Sequence, residues 1–246
     1  MALASFWRIA VDVWPRRQAD AALPLAVPVS IIIPCYLPSD HAVVEATVAH
    51  ILDRLEHTGP LTVLLVYNTP SPHPAEARLA ELSGRAWPAG RGVRLVKAEG
   101  SRSKAENLNA ALALVQDEYV ALYDADHRPD ARSLALLLAE IERSGAHAMQ
   151  GSTYIRRPST LLAHIVDAEF FVTHFVFFPA MEVLAGVGYF GGSNALWRTD
   201  VLRSYGFDAA FHTEDVELSA RVLLDSHRIL FCPESRSSEL SPAGVP

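Results

Sequence analysis

The chain has 246 residues, half of them hydrophobic, and carries a net charge of −7 with a pI near 5.8. That length accommodates one large α/β domain or two small ones, and the acidic balance argues against a nucleic-acid partner. Two cysteines, Cys35 and Cys232, make no disulfide framework and leave a reducing compartment as the default.

At the N-terminus, MALASFWRIAVDVWPRR lacks the basic start and long apolar run of a signal peptide. Trp7 and Trp14, with Arg8, Arg16 and Arg17, fit either a bilayer-surface segment or a frayed terminus. Residues 1–27 read as an extension. VSIIIP, residues 29–34, is a β-branched apolar run, the mark of a strand covered on both faces. A helix follows, opened by Ser39 or Asp40, striped by Val44, Val48, Ile51, Leu52 and Leu55, and ended by Gly59. LTVLLVY (61–67) and VRLVK (93–97) are the next strands. Residues 103–116 read as an Ala- and Leu-rich helix, YVALYD (119–124) as a strand, and Asp130 to Ser144 as another helix. This alternation predicts a largely parallel sheet with helices on both faces.

Residues 159–185 read as one or two aromatic-rich helices. The longest apolar stretch, residues 170–190, is interrupted by His174, Pro179 and Glu182, which predicts that it does not span a bilayer. Phe170, Phe171, Phe175 and Phe178 fit plain core, a membrane-proximal surface or the floor of an acceptor channel. In the last helix, opened by Thr213-Glu214-Asp215, Val216, Ala220, Leu223 and Leu224 are expected on the inner face and Thr213 as the cap. No internal repeat or low-complexity tract is present.

In such sheets ligands sit beyond the carboxyl ends of the strands, where Asp124-Ala125-Asp126 falls. Alone, that D-x-D fits turn chemistry as well as a hard divalent cation, Mg²⁺ or Mn²⁺, shared with a diphosphate. Thr213-Glu214-Asp215 alone is explained by helix capping. GVGYFG (186–191) matches G-x-G-x-x-G but does not follow the first strand, so no dinucleotide site is expected. His127, His147, His164, His174 and His212 show no zinc spacing, and the absence of G-x-S-x-G argues against an α/β-hydrolase.

Taken together and in order, these segments resemble family 2 glycosyltransferases of the GT-A fold, in particular the catalytic domain of cellulose synthase-like membrane polysaccharide synthases. The resemblance covers about residues 28–242, and it rests on VSIIIPCY, SKAENLNAAL (103–112), DAD, YFGGSNALWRTDVL and TED. It implies one domain with a nucleotide-sugar half (28–127) and an acceptor half (128–242). It also implies a nucleoside diphosphate sugar as donor, UDP-linked by preference, a glycan acceptor, and inversion at the anomeric carbon. Pro34, Tyr36, Asn68, Lys104 and Asp124 are then expected at the nucleotide sugar. Asp126 and Asp124 are expected at the metal, Gly192, Ser193 and Asn194 on the acceptor side, and Asp215 with Glu214 as the catalytic acids, Asp215 being the general base.

Three departures qualify the resemblance. Glu106 replaces the family's glycine in K-A-G-N-L-N. LLVYNTP carries Tyr67 and Asn68 where the family has an aspartate that reads uracil, so Asn68 is expected to pair with the base, Tyr67 to stack on it, or Asn68 to be a turn residue. Finally, the family's Q-x-x-R-W and transmembrane helices do not follow TED. The expectation is either a truncated form of a longer protein on the cytoplasmic side of the cell membrane or a natural short form, with a non-catalytic nucleotide-sugar-binding domain as the alternative function. A sugar-nucleotide nucleotidyltransferase is the second alternative, disfavoured because PCYLPSDHAVVE is not a glycine-rich basic loop.

Overall fold

The computed structural model describes residues 26–241. The terminal tryptophans and arginines, and nearly all of the 1–27 extension, lie outside the described residues. In chain order, strand β1 (Val29–Tyr36) leads through a short turn of helix α1 (Leu37–Asp40) into α2 (Val44–Arg54). Then follow β2 (Leu61–Asn68), α3 (Ala75–Gly84), β3 (Arg91–Lys97), α4 (Lys104–Leu112) and β4 (Tyr119–Leu122). The second half comprises β5 (Arg128–Pro129), α5 (Ser133–Ser144), β6 (Ala148–Arg156), α6 (Leu161–Val172), a π-helical turn (Thr173–Phe177) and α7 (Phe178–Ala185). It closes with β7 (Ala195–Arg198), α8 (Thr199–Tyr205), α9 (Glu214–Leu224) and β8 (Ile229–Leu240).

One eight-stranded sheet runs β3-β2-β1-β4-β7-β6-β8-β5. Strands β3, β2, β1 and β4 are parallel, as the alternating order predicts. Beyond β4 the sheet is mixed: β7 runs antiparallel to both β4 and β6, β8 is parallel to β6, and β5 is antiparallel to β8. Strands β6 and β8 thus run in the direction of β1 to β4, so the sheet is largely parallel as expected, with β7 and β5 reversed.

Side-chain alternation along β1 explains why its apolar run is continuous. Ile31 and Ile33 enter the core under α2, α3 and α5, whereas Ile32 enters the opposite core with Leu108 of α4, Leu202 of α8 and Val222 of α9. The predicted stripe of α2 is buried in full, although the helix ends at Arg54 with Leu55 as its C-cap rather than at Gly59.

Two expectations fail. In α9 the buried face is Leu218, Ser219 and Val222, while Val216 and Leu224 are 44% and 83% exposed. The small Ser219 decides the phase: its hydroxyl accepts from the Phe190 amide and donates to the Asp215 carbonyl, drawing that face inward. Thr213 makes no side-chain cap.

The second concerns the interruption expected within the apolar stretch. Leu161–Ala185 is continuous, and by length and composition it is the one helix among the described residues long and apolar enough to cross a membrane. Pro179 does not break it, because it falls in the first turn of α7, where the π turn shifts the backbone bonding so that the Phe178 amide donates to the Thr173 carbonyl. His174 is buried, and Glu182 turns inward to accept from the Phe231 amide.

Candidate active site

The parallel half determines where the cleft lies. Tyr36 is in register with Asn68, and Ile32 with Leu122, so Pro34, Tyr36, Asn68 and Asp124 reach the same carboxyl edge of the sheet. Strand order reverses there, with β2 on one side of β1 and β4 on the other, the usual place for a crevice in such sheets. The crevice measures about 840 Å³, and its lining includes all six residues expected at the nucleotide sugar and metal: Pro34, Tyr36, Asn68, Lys104, Asp124 and Asp126.

Lys104 is the hub. Ser103 caps α4 by accepting from the Glu106 amide, and Glu106, at the family's glycine position, reaches back past the cap to accept from the Arg102 amide. The cap holds Lys104 in the first turn, where its ammonium lies 2.5 Å from Asp124 Oδ1, 3.8 Å from Glu214 Oε1 and 3.5 Å from the Gly192 carbonyl. Burial works against this charge, but the nearby carboxylates of Asp124, Glu214 and Asp215 outweigh it and hold the pKa above the ordinary lysine value. Lys104 thus connects the cleft to the Thr213-Glu214-Asp215 segment as a permanent cation.

Asp126 is held differently. Its Oδ2 accepts from the Leu240 amide, a contact across 114 positions that no sequence pattern announces. Asp124 and Asp126 are two oxygen-rich side chains on one cleft wall, and no cluster of three or more metal-binding side chains occurs among the described residues. That set fits a hard cation that takes its remaining ligands from a diphosphate and water, and it does not make a closed protein cage.

The acceptor-side segment meets the site at Gly192. Its φ is +85°, and a Cβ there would stand 3.0 Å from Asp215 Oδ2, so the backbone passes directly under the half-buried Asp215 carboxylate. Glu214 is buried. Tyr189 lies close enough that burial and the Asp215 charge together push its phenol up to about 12. The Ser193 hydroxyl accepts from the Asp124 amide and so braces the D-x-D turn.

Three expected residues are engaged by neighbours. Tyr67 is buried and donates to Glu76, which turns it away from any base. Asn68 lines the cleft, with its amide held by donating to the Ser101 carbonyl and accepting from Asn107. Asn194 is fully buried and in left-handed backbone geometry, its amide donating to the Ser152 and Ser235 carbonyls, so it frames the site and offers an acceptor no surface. Asn107 supplies a feature the motif alone did not: its Oδ1 is buried without a partner, and the residue lines the cleft.

A family model described as glycosyltransferase like family 2 matches residues 26–244. An uncharacterized glycosyltransferase of Escherichia coli K12, YaiP, is 32% identical over 188 residues, covering 74% of this chain and 45% of that protein. The chain thus spans less than half the length of that curated relative. Among solved structures, the mannosyltransferase PcManGT of Pyrobaculum calidifontis, in complex with GDP-Man and Mn²⁺, superposes with a TM-score of 0.67 at 22% identity, covering 98% of this chain and 65% of that one. Glucosyl-3-phosphoglycerate synthase of Mycobacterium tuberculosis, in complex with Mn²⁺, UDP and glucosyl-3-phosphoglycerate, gives 0.58 at 15%, covering 88% and 73%. At these identities the likeness shows the fold alone, and that fold is GT-A.

Proposed function

Since the chain belongs to the glycosyltransferase-like family 2, we propose that it moves a sugar from a nucleoside diphosphate sugar, UDP-linked by preference, to a growing polysaccharide or other glycan with inversion. One observation carries this reading: the D-x-D carboxylates and Lys104 line a single cleft, and Lys104 and Gly192 bring the Glu214-Asp215 segment up against it.

In this reading Asp215 removes the proton from the acceptor hydroxyl as its oxygen attacks the anomeric carbon and the bond to the diphosphate breaks. A single displacement inverts the anomeric centre. Lys104 offsets the charge that gathers on the departing diphosphate. Asp126, with Asp124, would hold Mg²⁺ or Mn²⁺, which when bound supplies Lewis-acid stabilisation of the same leaving group. Tyr36, 47% exposed at the cleft, is the aromatic surface open to the base, and Asn107 Oδ1 is the unfilled acceptor on the cleft wall. The halves 28–127 and 128–242 divide the work between donor and acceptor, with Leu240 returning to the donor side. The largely apolar outer face of Leu161–Ala185 suits contact with a membrane, and we place the domain on its cytoplasmic side.

The test is calorimetric titration with UDP, GDP and CDP, with and without Mn²⁺, for the chain and for Asp126→Asn. We expect metal-dependent UDP binding that weakens about tenfold or more in the variant. Stronger binding of GDP would move the donor class. Tight nucleotide binding with no hydrolysis or transfer of any UDP-sugar would favour the non-catalytic alternative. No nucleotide binding by the folded chain would overturn the reading.

A further inference from the structure

Two arginines beside the acceptor half of the site hold buried donors that meet no hydrogen-bond acceptor among the described residues. Arg128 in β5 and Arg156 at the end of β6 flank β8. Arg128 is in register with Ser238, Ser238 with Tyr154, and Arg156 with Leu240. Paired residues, and residues two apart on a strand, share a face, so Arg128, Tyr154 and Arg156 lie on the same side of the sheet. Arg128 Nε and Arg156 Nη1 are buried without a hydrogen-bond partner, and neither guanidinium forms an ion pair among the described residues.

This arrangement is unfavourable as it stands, because two like charges and two desolvated donors are held together. Burial and then the charge of Arg128 pull the Arg156 guanidinium pKa down, with Asp126 among the groups pulling the other way. An oxyanion placed between them would supply the missing acceptors and neutralise the repulsion, and a phosphate matches the planar guanidinium fork. The Leu240 amide donates to Asp126 and Leu240 is in register with Arg156, so the pair stands next to the Asp126 end of the cleft, on strands of the acceptor half.

We propose that Arg128 and Arg156 form a binding site for the phosphate group of a phosphorylated acceptor, beside the donor cleft. Assigning that phosphate to the acceptor rests on the transferase reading; the anion site itself does not.

The experiment titrates the whole chain, saturated with UDP and Mn²⁺, with inorganic phosphate, with glycerol phosphate, and with phosphatidic acid vesicles against phosphatidylcholine vesicles at constant ionic strength. Arg128→Gln and Arg156→Gln are compared with Arg94→Gln, an exposed arginine on β3. The expected result is saturable phosphate binding, weakened about tenfold or more by either site variant and unchanged by the control, with UDP affinity constant within about twofold. Arginine-dependent binding confined to phosphatidic acid vesicles would identify the source as a lipid headgroup; binding of glycerol phosphate in solution would identify a soluble phosphomonoester. If either glutamine variant unfolds, Arg156→Lys, which keeps the charge and loses the fork, gives the same readout. Parallel loss of UDP and phosphate affinity would assign the pair to the donor diphosphate and overturn the acceptor site. Phosphate binding no weaker in the variants than in the control, or none at all, would overturn the site altogether. Arginine-dependent phosphate binding by a chain that binds no nucleotide would keep the anion site and remove the transferase reading.

Discussion

Gly192 shows how much of the site depends on one backbone atom. Its φ of +85° suits glycine, and the hydrogen in place of a side chain leaves room for the Asp215 carboxylate. Gly192→Ala is expected to lower the rate of sugar transfer about tenfold or more by displacing that carboxylate, with UDP affinity within about twofold of wild type and a stability loss of about 1 kcal/mol. Steady-state kinetics beside a UDP titration check it, and equal losses in rate and UDP affinity would refute it. Sequence reasoning found the aspartates, Lys104 and Gly192 because their motifs occur in a fixed order. It did not foresee the hydrogen bonds of Asn68 and Asn194, because their partners lie far along the chain: Asn107 for the first, and Ser152 and Ser235 for the second.

At the level of elements, α4 ties stability to binding. Its cap is local and was written into Ser103 and Glu106, three residues apart. Ser103→Ala is expected to cost about 1 kcal/mol and to weaken metal-dependent UDP binding, since Lys104 and Asn107 ride on the first turn. Denaturant unfolding together with calorimetry tests this, and weakened UDP binding without any stability loss would count against the cap. The helix Leu161–Ala185 behaved otherwise. Composition alone suggested an interrupted segment, but Asp167 and Glu182 both turn inward, accepting from the Ile155 and Phe231 amides. What remains outside is largely apolar, with Leu161 and Leu184 79% and 80% exposed, although His164 and Glu169 are exposed as well.

The whole molecule responds to pH through groups that the sheet and helices bury together. Burial, followed by the charge of His127, lowers the pKa of His174 to about 4, while an unfolded histidine titrates near 6.5. The unfolded chain therefore binds the proton first as pH falls. The contribution of His174 is fully present above pH 6.5 and is lost progressively toward pH 4. Between pH 7 and 5 that loss amounts to about 2 kcal/mol. Thermal unfolding of the chain and of His174→Phe, whose ring would join Phe170 and Phe178, should show the variant losing less stability over that interval. Equal slopes would show that other groups control it.

The sequence by itself determined the parallel strands β1 to β4, the burial of β1 on both faces and the order of the site motifs, because each is a matter of short-range periodicity or adjacent residues. Only the tertiary structure decided the antiparallel insertion of β7, the inner face of α9, the Leu240 amide on Asp126 and the meeting of Arg128 with Arg156 across β8. Each of those joins residues distant in the chain or chooses between two apolar faces, and packing against a neighbour makes that choice where local pattern does not.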